Sequence, residues 1–331
     1  MATRKVKIGM MSFAHMHAWS YAKSIANRDD TEMVGIADHD SVRAVQMAQA
    51  LGTTAFESYE ALLSTPGLEA VVICSENVRH RALCEMAAQA GKHVLCEKPL
   101  ATSMEDGLAM IAACEQAGVQ LMTAFPCRYS PVMQRLKATI ESGSAGEIVA
   151  VRGTNRGRNP GGWFINKEES GGGATMDHTV HVTDLMRWML ADEVQEVYAE
   201  VSNNISHQAF DDVGFLSLRF ERGVFGTLDA SWSRPKSFPT WGDVTLDVIT
   251  ERGTLSMDMF AQNLVLYSDK TNSVTWHNWG GNMDDGLIGA FAKAVREESP
   301  VPITGLDGLR AAEVAFAAYR SAELHAPVTL R

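Results

Sequence analysis

The chain has 331 residues, 46% of them hydrophobic and 21% charged, which is enough apolar material for two domains with buried cores. Its net charge of −11 argues against nucleic-acid or anionic-lipid partners, which an acidic surface repels at long range. No apolar run approaches the roughly 20 residues that span a bilayer, and "MATRKVKIGMM" lacks a signal-peptide core and cleavage pattern, so a cytoplasmic protein without a membrane partner is expected.

From residue 5 to about 125, short apolar runs alternate with helical ones. "KVKIGMM" reads as a buried strand and residues 18–27 as a helix. "EMVGIAD" is a second strand ending in Asp38, and "SVRAVQMAQALG" a helix stopped at Gly52. A short strand "AFES" and a helical "YEALLST" follow. "LEAVVICS" is a β-branched strand, "RHRALCEMAAQAG" a helix stopped by Gly91, and "KHVLCEKP" a strand broken by Pro99. A helix N-capped by Ser103 and the strand "VQLMTAF" complete this half. Strands apolar on both faces and separated by helices predict βαβ units, a parallel sheet and a doubly wound α/β domain over residues 1–125.

From residue 126 to 331 the texture changes. The helix "PVMQRLKATIESG" leads to "EIVAVRGTNRG", and a glycine-rich loop and helix occupy residues 160–190. Strands then dominate: "EVQEVYAEVSN", "DDVGFLSLRF", "GVFGTLDASWS", "DVTLDVITERGTLSMD" and "NLVLYSD". "RFERGVFGTL" has the form of a hairpin, and "GLRAAEVAFAAYRSAELH" closes the chain as a helix. This predicts an α+β domain on an open, mostly antiparallel sheet. Helices at 131–142, 174–190 and 306–324 can cover one face of that sheet. The other face calls for a second subunit, so a homodimer or homotetramer is expected.

The candidate nucleotide loop, "IGMMSFAHMH", has no glycine after Gly9. Ser12, Phe13, Ala14, His15 and Met16 fill the turn, with His17 where a glycine usually lets helix and strand approach closely. Ser12 and Ala14 are small, so backbone N–H groups and the helix terminus remain able to meet a pyrophosphate. Asp38, roughly twenty residues on, either accepts hydrogen bonds from an adenosine ribose diol or caps the next helix. The first role favours NAD over NADP, because a carboxylate repels a 2′-phosphate.

In "CEKPLATS" the chain leaves a strand at its carboxyl end. Glu97 and Lys98 there either face a ligand cleft, where Lys98 can hold a substrate hydroxyl, or form an exposed ion pair. In "GGGATMDHTVHVTDLMRW", Asp177, His181 and Asp184 share one helix face. That pattern serves general acid–base chemistry at His181, or a structural histidine satisfied by Asp184. Asp177, His178 and His181 could also ligate a metal, but spacing sets no fourth ligand, so no metal is expected. The five cysteines form no CxxC pair and read as small core residues, with Cys96 set apart by its place beside Glu97.

Taken in order, the βαβ start, "ICSENVRH", "CEKPL", "RYSP" and "GGGATMDHTVHVTDLMRWML" resemble the Gfo/Idh/MocA family of NAD(P)-dependent oxidoreductases, from residue 5 to about 328. The resemblance implies a Rossmann domain followed by an α/β domain on an open antiparallel sheet. It also implies hydride transfer between NAD and a secondary alcohol or ketone of a sugar, inositol or related polyol. His181 would be the acid–base, Asp177 its neighbour and Lys98 the stabiliser of the reacting oxygen. Ser75, Asn77 and His80 match the family's loop near the cofactor, and Arg128 its R-[FY]-x-P position. Arg152, Arg156, Trp163 and His178 are candidates for the substrate wall. The sequence departs from the family at Ser12, Ala14 and His17, at Glu76 and at Thr179. Two other readings stand beside this one: a lyase or glycosidase that oxidises its substrate transiently with NAD, and a non-catalytic nucleotide-binding regulator.

Overall fold

A computed structural model describes residues 4–330 apart from 262, 271, 279 and 280. The chain forms two compact units, one from the chain up to Pro126 together with Asp284–Leu309, the other from Cys127–Met283 with the chain from Arg310 onward. The first unit thus takes in a later segment as well as the residues ahead of the expected cut at 125.

The first unit contains β1 (Val6–Met11), α1 (Ala18–Asn27), β2 (Thr31–Ala37), α2 (Ser41–Leu51), β3 (Thr54–Phe56), α3 (Tyr59–Leu63), β4 (Ala70–Ile73), α4 (His80–Gln89), β5 (His93–Cys96), α5 (Met104–Ala117) and β6 (Leu121–Thr123). The strands make one parallel sheet in the order β3-β2-β1-β4-β5-β6. Every residue of β4 is fully buried, as a parallel strand covered by helices on both faces must be. The order reverses between β1 and β4, and the crevice at such a reversal, beyond the strand carboxyl ends, is where dinucleotides bind. Local signals agree with this path. Ser103 accepts the Asp106 N–H at the start of α5, and Gly118 ends that helix at φ +67°.

In the second unit come α6 (Pro131–Glu141), β7 (Ile148–Thr154), the single turn α7 (Lys167–Ser170), α8 (Ala174–Leu190), β8 (Val194–Ser202), β9 (Val213–Phe220), β10 (Phe225–Asp229), β11 (Thr245–Thr250), β12 (Gly253–Asp258), β13 (Asn263–Ser268) and β14 (Ser273–Asn278). Three elements complete the chain: α9 (Met283–Val295), α10 (Gly305–Leu324) and β15 (Val328–Thr329). Seven strands form an open sheet in the order β12-β11-β7-β10-β9-β8-β15. Only its β7–β10 pair is parallel, and β13 and β14 form a separate hairpin. "DVTLDVITERGTLSMD" is a hairpin, β11 and β12 turning at 251–252, rather than one strand.

One face of the seven-stranded sheet is the core. Leu216, Leu218, Leu228, Leu246 and Val248 pack against Met133 and Leu136 of α6, Val182, Leu185 and Met186 of α8, and Val314 and Ala318 of α10. The period-two alternation of the strands leaves Val149, Tyr198, Phe215, Phe225 and Ile249 on the other, exposed face.

Helix α9 was not anticipated from the sequence. It buries Leu287, Ile288, Phe291 and Ala292. Arg28 bonds Asp285 at 2.9 Å, Arg296 lies 3.3 Å from Asp30, and the Thr123 N–H reaches the Ile303 carbonyl at 3.0 Å, which ties this later segment to the parallel-sheet unit. Among the described residues no helix is long and apolar enough to cross a membrane. All five cysteines are free and buried, and burial, with the Glu97 carboxylate next in the chain, pushes the Cys96 thiol well up, away from a reactive thiolate.

Candidate active site

In the first unit, the turn after β1 lacks its usual glycine but keeps the shape glycine provides. Ser12 adopts φ +73°, the left-handed region, and its N–H bonds the Ala37 carbonyl at 2.8 Å. Asp38, at the end of β2, supports this conformation. Its Oδ2 accepts the Phe13 N–H at 2.7 Å and the Ser12 hydroxyl at 3.2 Å, and its Oδ1 accepts the Asp40 N–H at 3.0 Å. Arg43 adds a bidentate contact at 2.8 and 2.7 Å. Burial opposes ionisation of Asp38, but Arg43 and the two backbone N–H groups outweigh it and lower its pKa. The helix-capping role belongs to Asp40, whose carboxylate accepts the Val42 and Arg43 N–H groups.

Helix α1, by contrast, has no side-chain cap, and the exposed Met16 N–H has no acceptor among the described residues. The Ala14 and His17 N–H groups meet the Ser12 hydroxyl and His15 Nδ1 at 3.2 Å, both long contacts. These features fit a pyrophosphate at the α1 terminus, with Ser12, Phe13, Ala14, His15 and Met16 as the turn that would hold it. Farther along the crevice, His80 is fully buried and its Nδ1 lies 3.0 Å from the Pro99 carbonyl. That contact ties the loop carrying the buried Ser75 and Asn77 to the turn after β5, where the Lys98–Pro99 bond is cis. Burial lowers the His80 pKa, so its imidazole is neutral.

Glu97 is fully buried and Lys98 is 3% exposed, so neither belongs to a solvated strand-end ion pair. Glu97 Oε1 lies 3.3 Å from His17 Nδ1. Burial alone would raise the Glu97 pKa, but the imidazoles of His15 and His17 hold its carboxyl well below the usual range.

In the second unit, the chemistry gathers on the first turns of α8. The Asp177 carboxylate accepts the Trp232 indole N–H at 3.2 Å and lies 3.2 Å from His178 Nε2. His178 is flanked by the rings of Trp232 and Trp241, at 6.4 and 6.0 Å between centroids. His181 is 4% exposed, with Nδ1 3.9 Å from Cys127 Sγ. Asp184 does not serve as the partner of a structural histidine. Fully buried, it holds Arg128 in a bidentate ion pair at 2.8 and 2.6 Å. The Arg128 guanidinium, expected near a cofactor, is thus engaged inside the second unit.

The glycines ahead of α8 have a steric origin. A Cβ at Gly173 would lie 2.1 Å from the Asp211 carbonyl oxygen, and one at Gly157 would lie 2.4 Å from the His178 ring. Asp211 and Tyr319 cap the helix. Asp211 accepts the Gly173 and Thr175 N–H groups at 2.8 Å each, and the Tyr319 hydroxyl accepts from Met176 at 3.2 Å and donates to Asp211 at 2.9 Å.

The substrate-wall candidates divide. His178 lies beside Asp177, and Trp163 stacks on Phe164 at 3.9 Å next to Trp232. Arg156 shares the Asp243 carboxylate with Arg234, on the strand flanking Gly157. Arg152 does not join them. Val151 and Gly153 point toward α8, so Arg152 points to the opposite face of the sheet, where it pairs with Asp247 at 2.9 Å. Sequence reasoning missed Trp232, Trp241, Asp211, Tyr319 and Arg43. Only the "FDDVG" acids ahead of a strand offered a signal for Asp211.

Comparison with known proteins agrees with this geometry. Residues 6–125 match the profile of an oxidoreductase family with an NAD-binding Rossmann fold, and residues 133–256 match the GFO/IDH/MocA C-terminal domain. The chain is 28% identical over 314 residues to myo-inositol 2-dehydrogenase of Thermotoga maritima, with 92% of each chain covered. It is 30% identical over 271 residues to D-apiose dehydrogenase of Paraburkholderia graminis, covering 81% of this chain and 70% of the other. The crystal structure of GenD2 from gentamicin A biosynthesis in complex with NAD superposes with a TM-score of 0.91 at 23% identity, over 100% of this chain and 98% of that one. The first unit is therefore an NAD-binding Rossmann domain, and the chain belongs to the Gfo/Idh/MocA family of oxidoreductases.

Proposed function

We propose that the protein transfers a hydride between NAD and a secondary carbinol or ketone of a sugar, inositol or related polyol. The observation that carries this is the first turn of α8, where a buried carboxylate and two imidazoles lie beside indole rings. Polyols present hydroxyl edges and C–H faces, and carboxylate, imidazole and indole groups suit both. Its relatives include inositol and apiose dehydrogenases, which supports the same class.

In this reading His181 takes the hydroxyl proton during oxidation, and Lys98 offsets the charge left on the oxygen. Asp177 and His178 accept and donate bonds to neighbouring hydroxyls. NAD, when bound, supplies the hydride acceptor. Asp38, at the end of β2, favours NAD over NADP by repelling a 2′-phosphate. The exposed sheet face with Val149, Phe215, Phe225 and Ile249 pairs with a second copy of the chain.

The experiment is a panel of inositols, aldoses and keto-sugars incubated with NAD or NADP and followed by nicotinamide absorbance. Turnover of at least one polyol that His181→Asn lowers by about 10²-fold or more supports the proposal. NAD binding with no turnover across the panel, and none lost in His181→Asn, would sink it. Sedimentation then reads the assembly, and a monomer at micromolar concentration rejects the paired sheet face.

A further inference from the structure

The imidazoles that replace the glycine loop meet a buried carboxylate. His15 sits in the turn before α1, His17 caps that helix and Glu97 ends β5, all within the first unit. One potential ligand atom from each lies within 4.8 Å of the others. Glu97 is fully buried and His15 is 2% exposed, while the His17 side chain keeps 31% exposure and leaves a route from solvent. Glu97 Oε2 has no hydrogen-bond partner among the described residues. A buried carboxylate oxygen left in that state is costly, and a cation is one way to satisfy it.

We propose that His15, His17 and Glu97 form a site for a divalent transition-metal ion of the Zn²⁺ class. Two imidazoles and one carboxylate are a known ligand set for such ions, with the remaining position taken by water or an oxyanion. Ligand atoms about 2.0–2.1 Å from a tetrahedral metal are themselves about 3.3 Å apart. The pair His17 Nδ1 and Glu97 Oε1 already has that spacing, at 3.3 Å. The His15 ring must approach by an ångström or so. If it ligates through Nε2, its Nδ1 gives up the 3.2 Å contact with the His17 N–H, a loss of about 1 kcal/mol.

The charge arithmetic favours the ion. Two neutral imidazoles, one carboxylate and a divalent cation leave a net single positive charge at the uncapped start of α1. A diphosphate would meet there the charge that a glycine loop supplies only through backbone dipoles. A simple His17–Glu97 ion pair is the competing account, and it requires no metal.

The test is metal binding to the full chain, independent of turnover. Protein stripped with a chelator is titrated with Zn²⁺ by calorimetry and with Co²⁺ by its visible absorption. One equivalent should bind, and His17→Ala and Glu97→Gln should each weaken it by about 100-fold or more. His17 is partly exposed, so His17→Ala is expected to fold, which circular dichroism checks. NAD should bind the Zn²⁺-loaded protein at least several-fold more tightly than the stripped protein. No binding by the stripped wild type, or binding that persists unchanged in both variants, overturns the proposal.

Discussion

Arg43 meets Asp38 through two parallel hydrogen bonds, Nε to Oδ2 at 2.8 Å and Nη2 to Oδ1 at 2.7 Å. The same carboxylate holds the Phe13 N–H and the Ser12 hydroxyl. The acid at the end of β2 therefore has a second task besides facing a ribose: it keeps Ser12 in a conformation that a glycine would adopt without help.

Cofactor choice follows from this pair. Asp38→Ser removes the carboxylate that repels a 2′-phosphate and frees the Arg43 guanidinium, with His39 beside it at 3.3 Å, to bind one. The ratio of NADP to NAD affinity should rise by at least about tenfold, equivalent to about 1.4 kcal/mol. Calorimetric titration of both dinucleotides measures it, and an unchanged ratio removes Asp38 from the selectivity argument.

Acid should loosen the same turn. Asp38 has a folded-state pKa below its unfolded value, so its contribution to stability is fully present above the unfolded value of about 3.9. It is lost as pH falls through the lower folded value. Asp38→Asn should thus be less stable than wild type at neutral pH, with the gap closing below about pH 4. Urea midpoints of the two proteins at both pH values test the sign, and a gap that widens in acid would contradict it.

Arg128 and Asp184 are both buried, with side-chain exposures of 7% and 0%. Removing one partner leaves an uncompensated charge, so Arg128→Met should cost about 3–5 kcal/mol of stability in the second unit. Arg128→Met combined with Asp184→Leu should recover much of that loss. Denaturant unfolding of the three variants decides it. Equal damage in the single and double variants would mean that the pair acts through packing and not through charge.

Lys98 and His181 should separate binding from chemistry. Lys98→Ala is expected to lower kcat by orders of magnitude while leaving NAD affinity within a few-fold, because its charge matters most when an oxyanion develops. His181→Asn should lower kcat by about 10²–10⁴-fold. Steady-state kinetics beside NAD titration read the two effects apart, and a Lys98→Ala enzyme with normal kcat rejects the assignment.

Local and periodic signals were legible in the sequence. The strand–helix alternation, Ser103 as a cap, the Gly223 hairpin turn and the apolar faces of α6, α8 and α10 all follow from spacing a few residues long. The partners of the site residues were not. Asp177 meets Trp232 and His178, and Arg128 meets Asp184, across separations of up to 56 residues that no periodicity encodes. The outward aim of Arg152 was in principle readable, because it alternates with Val151 and Gly153 on one strand. Choosing which face was inside required the position of α8. Helix α9 was missed although Leu287, Ile288, Phe291, Ala292 and Val295 repeat at helical spacing, because the preceding "NWGGNMDDG" reads as loop.

Tyr319 carries the last prediction. Its hydroxyl accepts the Gly173 and Met176 N–H groups at 3.1 and 3.2 Å and donates to Asp211 at 2.9 Å, so one oxygen joins α10 to the start of α8. Gly173 retains Asp211 Oδ1 as an acceptor at 2.8 Å, but Tyr319→Phe deprives the Met176 N–H of the hydroxyl at a buried helix end. That should cost about 1–3 kcal/mol of stability. The first turn of α8 also carries Asp177, so KM for the polyol should rise while NAD affinity stays level. Gly172→Ala attacks the same contact from the other side, since its Cβ would lie 2.2 Å from the Tyr319 oxygen. The two variants should therefore show the same kinetic pattern. If Tyr319→Phe unfolds at the wild-type urea concentration, the hydroxyl is not what fixes the helix terminus, and Asp211 alone does so.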